Sequence, residues 1–143
     1  MTGLAPTAPL LLRIVAVLAF VQFIGHATLF VRAKPTRGPQ EVAVVDAMKG
    51  TAFKFAAAPR TYWDQYFGYG LEAGFVCLVE AVLFWQLSSI AMRDASLVRP
   101  IAALFLVANL GHIALVARYF AFVVPMAFDG LIATGLIWVL LVA

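Results

Sequence analysis

LLLRIVAVLAFVQFIGHATLFV, residues 10–31, carries Arg13 as its one charged side chain. A helix of about 20 mostly apolar residues crosses the hydrocarbon layer of a bilayer. This run meets that length, and it exceeds the roughly 7–15 residues of a signal-peptide core. It is therefore expected to be a retained transmembrane helix, with Arg13 snorkelling from its first turns towards the headgroups. Three further runs qualify as spans: Phe67–Ser88, Ile101–Ala117 and Phe122–Val142. The third is short and would need little tilt or a thinned bilayer.

The whole chain agrees with that reading. Of its 143 residues 64% are hydrophobic, and the mean hydropathy is +0.99. A globular domain is roughly half apolar. The fold class expected is all-α: a single four-helix transmembrane bundle over residues 1–143, with an insertion at 33–65. Within the insertion Val42, Val45, Met48, Ala52 and Phe55 recur at helical spacing, which predicts an amphipathic helix over Gln40–Phe55 lying at the interface. Seven basic residues, Arg32, Lys34, Arg37, Lys49, Lys54, Arg60 and Arg118, fall on the insertion side, against Arg13, Arg93 and Arg99 on the other. The positive-inside rule then places the long loop in the cytoplasm, as expected for a multi-pass protein of a bacterial cytoplasmic membrane.

Composition also excludes several functions. Cys77 is the one cysteine, so neither an internal disulfide nor dithiol chemistry is available. The net charge of +3 comes from residues flanking helices and forms no nucleic-acid-binding patch.

The two histidines lie in matching octets, Gly25-His26-x-x-Leu29-x-x-Arg32 and Gly111-His112-x-x-Leu115-x-x-Arg118. Each octet is followed by a Tyr-Phe pair, Tyr66-Phe67 and Tyr119-Phe120, and then by a tryptophan, Trp85 and Trp138. The chain thus reads as a tandem two-helix repeat with an insertion in its first half. Such a repeat keeps one orientation and has its pseudo-two-fold axis along the membrane normal.

Ionisable groups within spans are costly and mark functional positions. Span directions place His26, His112, Glu72 and Asp129 in one half of the membrane. Glu80 is near the middle of its span, where a charged carboxylate costs about 2.5–3.5 kcal/mol. Tyr69, Glu72 and Glu80 share one arc of a helix, with the two carboxyls about 12 Å apart along the axis. Gln22 shares a face with His26, and Asn109 with His112, so each imidazole has a neighbour able to fix its tautomer. The competing role for all of these residues is interhelical hydrogen bonding.

Three functions fit. The first is an intramembrane pocket for a small lipophilic ligand, with acid–base chemistry of an isomerase or cyclase. His26, Asp64, Glu72 and Glu80 would be its catalytic groups. Gln22, Arg60, Tyr62, Trp63, Tyr66, Tyr69, Asn109, His112 and Asp129 would line it, with no metal. The second is a b-type haem held by His26 and His112. The third is a non-catalytic subunit of a larger membrane complex, joining partner chains or a second copy of itself. Whether the protein is an enzyme stays open.

The stretch Met48-Lys49-Gly50-Thr51-Ala52-Phe53, followed by Arg60-Thr61-Tyr62-Trp63-Asp64-Gln65-Tyr66-Phe67-Gly68-Tyr69-Gly70-Leu71, resembles an uncharacterised family of small bacterial four-helix integral membrane proteins. The resemblance covers nearly the whole chain, and R-x-Y-W-D-x-Y-x-G-x-G-L is its specific part. It implies that His26, Arg60, Tyr62, Trp63, Asp64 and Tyr66 belong to a shared pattern. His112 falls outside that pattern, which weakens the haem reading. In span count the chain is also similar to DoxX-like and emopamil-binding-like proteins, a likeness of topology alone.

Overall fold

The computed structural model describes residues 7–32, 34–55 and 58–143. The order of elements is α1 (Ala8–Arg32), α2 (Pro39–Gly50), β1 (Ala52–Phe55), β2 (Ala58–Thr61), α3 (Tyr62–Ala91), a 3-10 turn (Ala95–Val98), α4 (Arg99–Tyr119) and α5 (Val123–Val142). Residues 33, 56 and 57 of the expected insertion lie outside the described residues. Four segments are long and apolar enough to cross a membrane: Ala8–Arg32, Tyr62–Ala91, Ala95–Tyr119 and Val123–Val142. Only 17–28% of their most apolar windows is buried within the protein. So much outward apolar surface suits a lipid environment, and this is the make-up of a multi-pass integral membrane protein.

The chain forms two compact units, Met1–Gln22 with Cys77–Ala143, and Phe23–Val76. In the first, α1 contributes Leu12, Val15, Ala16 and Ala19 to the core, and α5 contributes Ile132, Leu136 and Val139. Those positions repeat every three or four residues, the spacing of one helix face. Phe84 on α3 meets Phe105 on α4 edge to face, with ring centroids 5.1 Å apart. Lipid is as apolar as leucine, so close packing rather than water exclusion holds such helices together. Gly135 serves that packing, because a Cβ there would collide with Val15. Ser88, fully buried, donates to the Trp85 carbonyl at 2.7 Å and leaves no hydroxyl proton unmatched. The turn between α4 and α5 uses Ala121 at φ 52, with its N–H on the Val116 carbonyl at 2.8 Å. Glycine is the usual residue in that left-handed conformation.

The second unit contains the structured insertion. Gly38, at φ 103, turns the chain into α2, and Pro39 opens the helix. The Glu41 carboxylate reaches back to accept the backbone N–H groups of Thr36 (2.7 Å) and Arg37 (2.6 Å). Those bonds, the one from Arg37 foremost, hold its pKa below the usual carboxylate value.

Three expectations need correction. The helix expected over Gln40–Phe55 ends at Gly50, because Thr51 is extended and Ala52–Phe55 pairs antiparallel with Ala58–Thr61. Ala52 and Phe55 thus belong to a strand and not to a helical stripe, a short hairpin in an otherwise mostly helical chain. The half-buried positions of α2 are Glu41, Val45 and Met48, and none of its residues is fully buried. The second span begins at Tyr62 rather than Phe67, because Thr61 and Asp64 form a reciprocal cap. Thr61 N–H donates to Asp64 Oδ2 at 2.8 Å, and Asp64 N–H donates to Thr61 Oγ1 at 3.1 Å. The third span is not short, since its apolar segment runs from Ala95 to Tyr119.

Candidate functional site

In the first unit the polar groups gather around Asp129. This residue lies one helical turn before Ile132 and Ala133, on the core face of α5, and is 2% exposed. A carboxylate so enclosed needs partners. Gln22 Nε2 of α1 donates to Oδ1 at 2.9 Å. His112 Nδ1 of α4 lies 3.0 Å from Oδ2. Oδ2 takes no hydrogen bond of good alignment among the described residues, so its link to His112 is a polar contact set by distance. The His112 side chain is 47% exposed, so one ring edge is pinned to Asp129 while the rest of the ring stays accessible. Glu80 of α3 is half-buried and lies within electrostatic range of both His112 and Asp129. The half-buried Cys77, one turn earlier on α3, is within range of Glu80 and Asp129. Asn109, one turn before His112, holds a buried Oδ1 with no partner among the described residues. Every one of the four long helices thus supplies a polar group to this cluster.

Chemically this is an imidazole oriented by a carboxylate. Asp129 favours the proton on Nδ1, which leaves Nε2 as the atom able to accept a proton or a hydrogen bond. Gln22 holds the second carboxylate oxygen and so fixes the plane of the acid. A second carboxyl group, Glu80, lies within electrostatic range of the pair.

The second unit holds the other histidine. His26 Nε2 donates to the Gly70 carbonyl of α3 at 2.7 Å. Its ring stacks on Phe30 with centroids 4.8 Å apart, and Phe30 in turn meets Tyr66 (5.8 Å) and Phe67 (6.5 Å). Gly70 and Gly74 make that arrangement possible. A Cβ on Gly70 would run into the Phe30 ring, and one on Gly74 would stand 3.2 Å from His26 Cδ2. The glycines of the octets, Gly25 and Gly111, meet nothing within 4 Å, so neither supports close helix packing.

The remaining sequence candidates lie in this second unit. Asp64 caps α3 through Thr61 as described. Trp63 stacks with Phe67 (6.0 Å) and receives the Lys49 ammonium 4.9 Å from its ring centroid. Tyr62 packs on Phe53 of β1 (4.8 Å). Arg60 Nη1 donates to the Pro59 carbonyl at 3.0 Å. Tyr66, Tyr69 and Glu72 are exposed on α3. The Arg60–Tyr66 string thus builds the start of α3 and ties it to the insertion.

The Gln22–Asp129 bond links residues 107 positions apart and leaves no local signal in the sequence. The cap and the glycine pair were readable, since T-x-x-D and small-x-x-x-small are short patterns with known mechanics. Among the described residues no group of three or more His, Cys, Asp or Glu side chains is placed to hold a metal ion. Compared with models of known protein families, with curated proteins and with solved structures, the chain matches none.

Proposed function

We propose that this protein binds the polar end of a small lipophilic molecule at the Asp129–His112 pair and moves a proton on it. The observation that carries the reading is the contrast within the pair: a buried acid bound by Gln22 on one oxygen with His112 3.0 Å from the other, and an imidazole left half open. A purely structural hydrogen bond between helices gains nothing from an accessible ring. In an isomerisation, His112 Nε2 would take a proton from one carbon of the substrate and the Glu80 carboxyl would return one at another. The double bond shifts, no oxidant is needed, and both groups reset by proton exchange. Asp129 and Gln22 would position His112 without touching the substrate. On the same reading the molecule arrives through the bilayer, the insertion faces the bacterial cytoplasm, and α2 rests on the membrane interface.

Native mass spectrometry of the gently extracted protein tests this. A lipophilic adduct is expected on the parent chain and on His26→Ala, and is lost from His112→Ala and Asp129→Asn. Equal retention by all four proteins, or no adduct on the parent, overturns the proposal. The same sample separates the competing readings. A co-isolated membrane chain would support a subunit role, and a Soret band would support a haem held by the histidines.

A further inference from the structure

A second polar element lies in the first unit, away from Asp129. Arg13 is on the opening turns of α1, about 8 Å of helix rise from Ala8. Its guanidinium sits over the Trp85 ring of α3, 5.4 Å from the centroid. Nη2 also approaches Met92 Sδ at 3.9 Å, just beyond the end of α3. Arg13 has no carboxylate within ion-pair distance among the described residues. The guanidinium beside Trp85 is a planar cation that carries five N–H donors in a fixed fork. The donors at its rim are left to solvent or to a ligand. Beside Arg13, Ile14, Val17 and Leu18 line an open groove of about 250 Å³ along α1. Its walls are apolar, Arg13 contributing its hydrocarbon stem.

We propose that this groove holds an anionic glycerophospholipid, its phosphate on Arg13 and one acyl chain along Ile14, Val17 and Leu18. Three observations select that occupant. The charge is a single guanidinium beside an aromatic ring with no carboxylate at ion-pair distance among the described residues, and a guanidinium can receive a phosphate through two parallel N–H bonds. The adjoining surface is apolar, as an acyl chain requires. Trp85 and Arg13 lie near the ends of helices apolar enough to cross a membrane, where tryptophan and arginine meet headgroups. A soluble phosphate would satisfy the cation and leave the groove uncovered.

The test uses Trp85 as the reporter. In a Trp63→Phe/Trp138→Phe background that retains its helical circular dichroism, Trp85 is the remaining tryptophan. The protein is placed in phosphatidylcholine vesicles that contain either brominated phosphatidylglycerol or brominated phosphatidylcholine, and quenching is compared. The proposal expects phosphatidylglycerol to be enriched beside Trp85 by about fivefold, the effect of one basic residue at the membrane surface. Arg13→Gln should abolish the preference, Val17→Phe should reduce it by filling the groove, and Arg93→Gln should preserve it. Equal quenching by the two lipids overturns the proposal. So does a preference that survives Arg13→Gln or Val17→Phe, or one that Arg93→Gln removes as fully as Arg13→Gln, because the attraction would then be diffuse surface charge.

Discussion

His26 and His112 share an octet, G-H-x-x-L-x-x-R, yet the two imidazoles have different surroundings. His26 donates to a backbone carbonyl and stacks on Phe30, in a region where Gly70 and Gly74 let rings lie against α3. His112 faces a carboxylate that is 2% exposed and that a third helix also binds. In the first arrangement one ring nitrogen is bound to a carbonyl and the ring face is covered by Phe30. The second places one ring nitrogen against a buried acid and leaves about half of the side chain exposed. A repeated motif thus fixes where an imidazole stands on its helix, while its partner on the facing helix decides what it can do.

The largest expected effect separates these two roles by stability. His112→Ala should destabilise the protein by about 3 kcal/mol, because it leaves one oxygen of a buried carboxylate without its neighbour. His26→Ala should cost about 1 kcal/mol, the loss of one hydrogen bond to a carbonyl. Unfolding of both variants in sodium dodecyl sulfate measures the difference. Equal losses would break the distinction between the two histidines. Adding Asp129→Asn to His112→Ala should restore part of the loss, since the acid that needed a partner is gone.

Glycines sharpen the comparison at an intermediate scale. Gly70→Ala should cost about 1–3 kcal/mol, because Phe30 must leave its place on α3 and disturb His26 with it. Gly25→Ala, in open space within the octet, should be neutral or stabilising by up to about 1 kcal/mol, the ordinary helix preference for alanine. Thermal melts in detergent rank the two. A larger loss at Gly25 than at Gly70 would show that the octet itself is a packing motif.

The smallest effect concerns the turn before α2. Glu41 has its pKa lowered first by the Arg37 N–H, then also by the Thr36 N–H and the Arg37 charge. A carboxyl whose folded pKa is depressed contributes stability above its unfolded value, near 4.5, and loses that contribution as pH falls through the lower folded value. The start of α2 should therefore loosen below pH 4.5. Amide exchange of Thr36 and Arg37, followed against pH, should show the transition, and Glu41→Gln should remove it. Asp94 supplies an internal reference outside the insertion, because the Ser96 hydroxyl and N–H lower its pKa in the same direction.

Much of the architecture was legible before any fold was known. Arg32 closes α1, Pro100 stands in the first turn of α4, and the spacing of apolar residues gives four spans close to those observed. Element ends were less legible where a local pattern was overlooked or where a distant partner decides. Thr61-x-x-Asp64 announces the start of α3 in the sequence itself. The end of α2 does not announce itself as clearly, because Ala52–Phe55 keeps helical spacing and becomes a strand through its pairing with Ala58–Thr61. At the candidate site, the sequence supplied the cast of His112, Asp129, Gln22 and Glu80. It placed Asp64 and Glu72 beside His26 among the catalytic groups. The fold gives Asp64 a capping role and leaves Glu72 exposed on α3.

By itself the sequence determined the environment of this protein, because hydropathy accumulates along the chain and needs no partner to be read. It also determined which side chains are too costly to lie in a membrane without a reason. Only the tertiary structure decided which of them meet. Gln22, Glu80, His112 and Asp129 come from four helices, and a side-chain contact across helices depends on rotation and register that hydropathy does not encode.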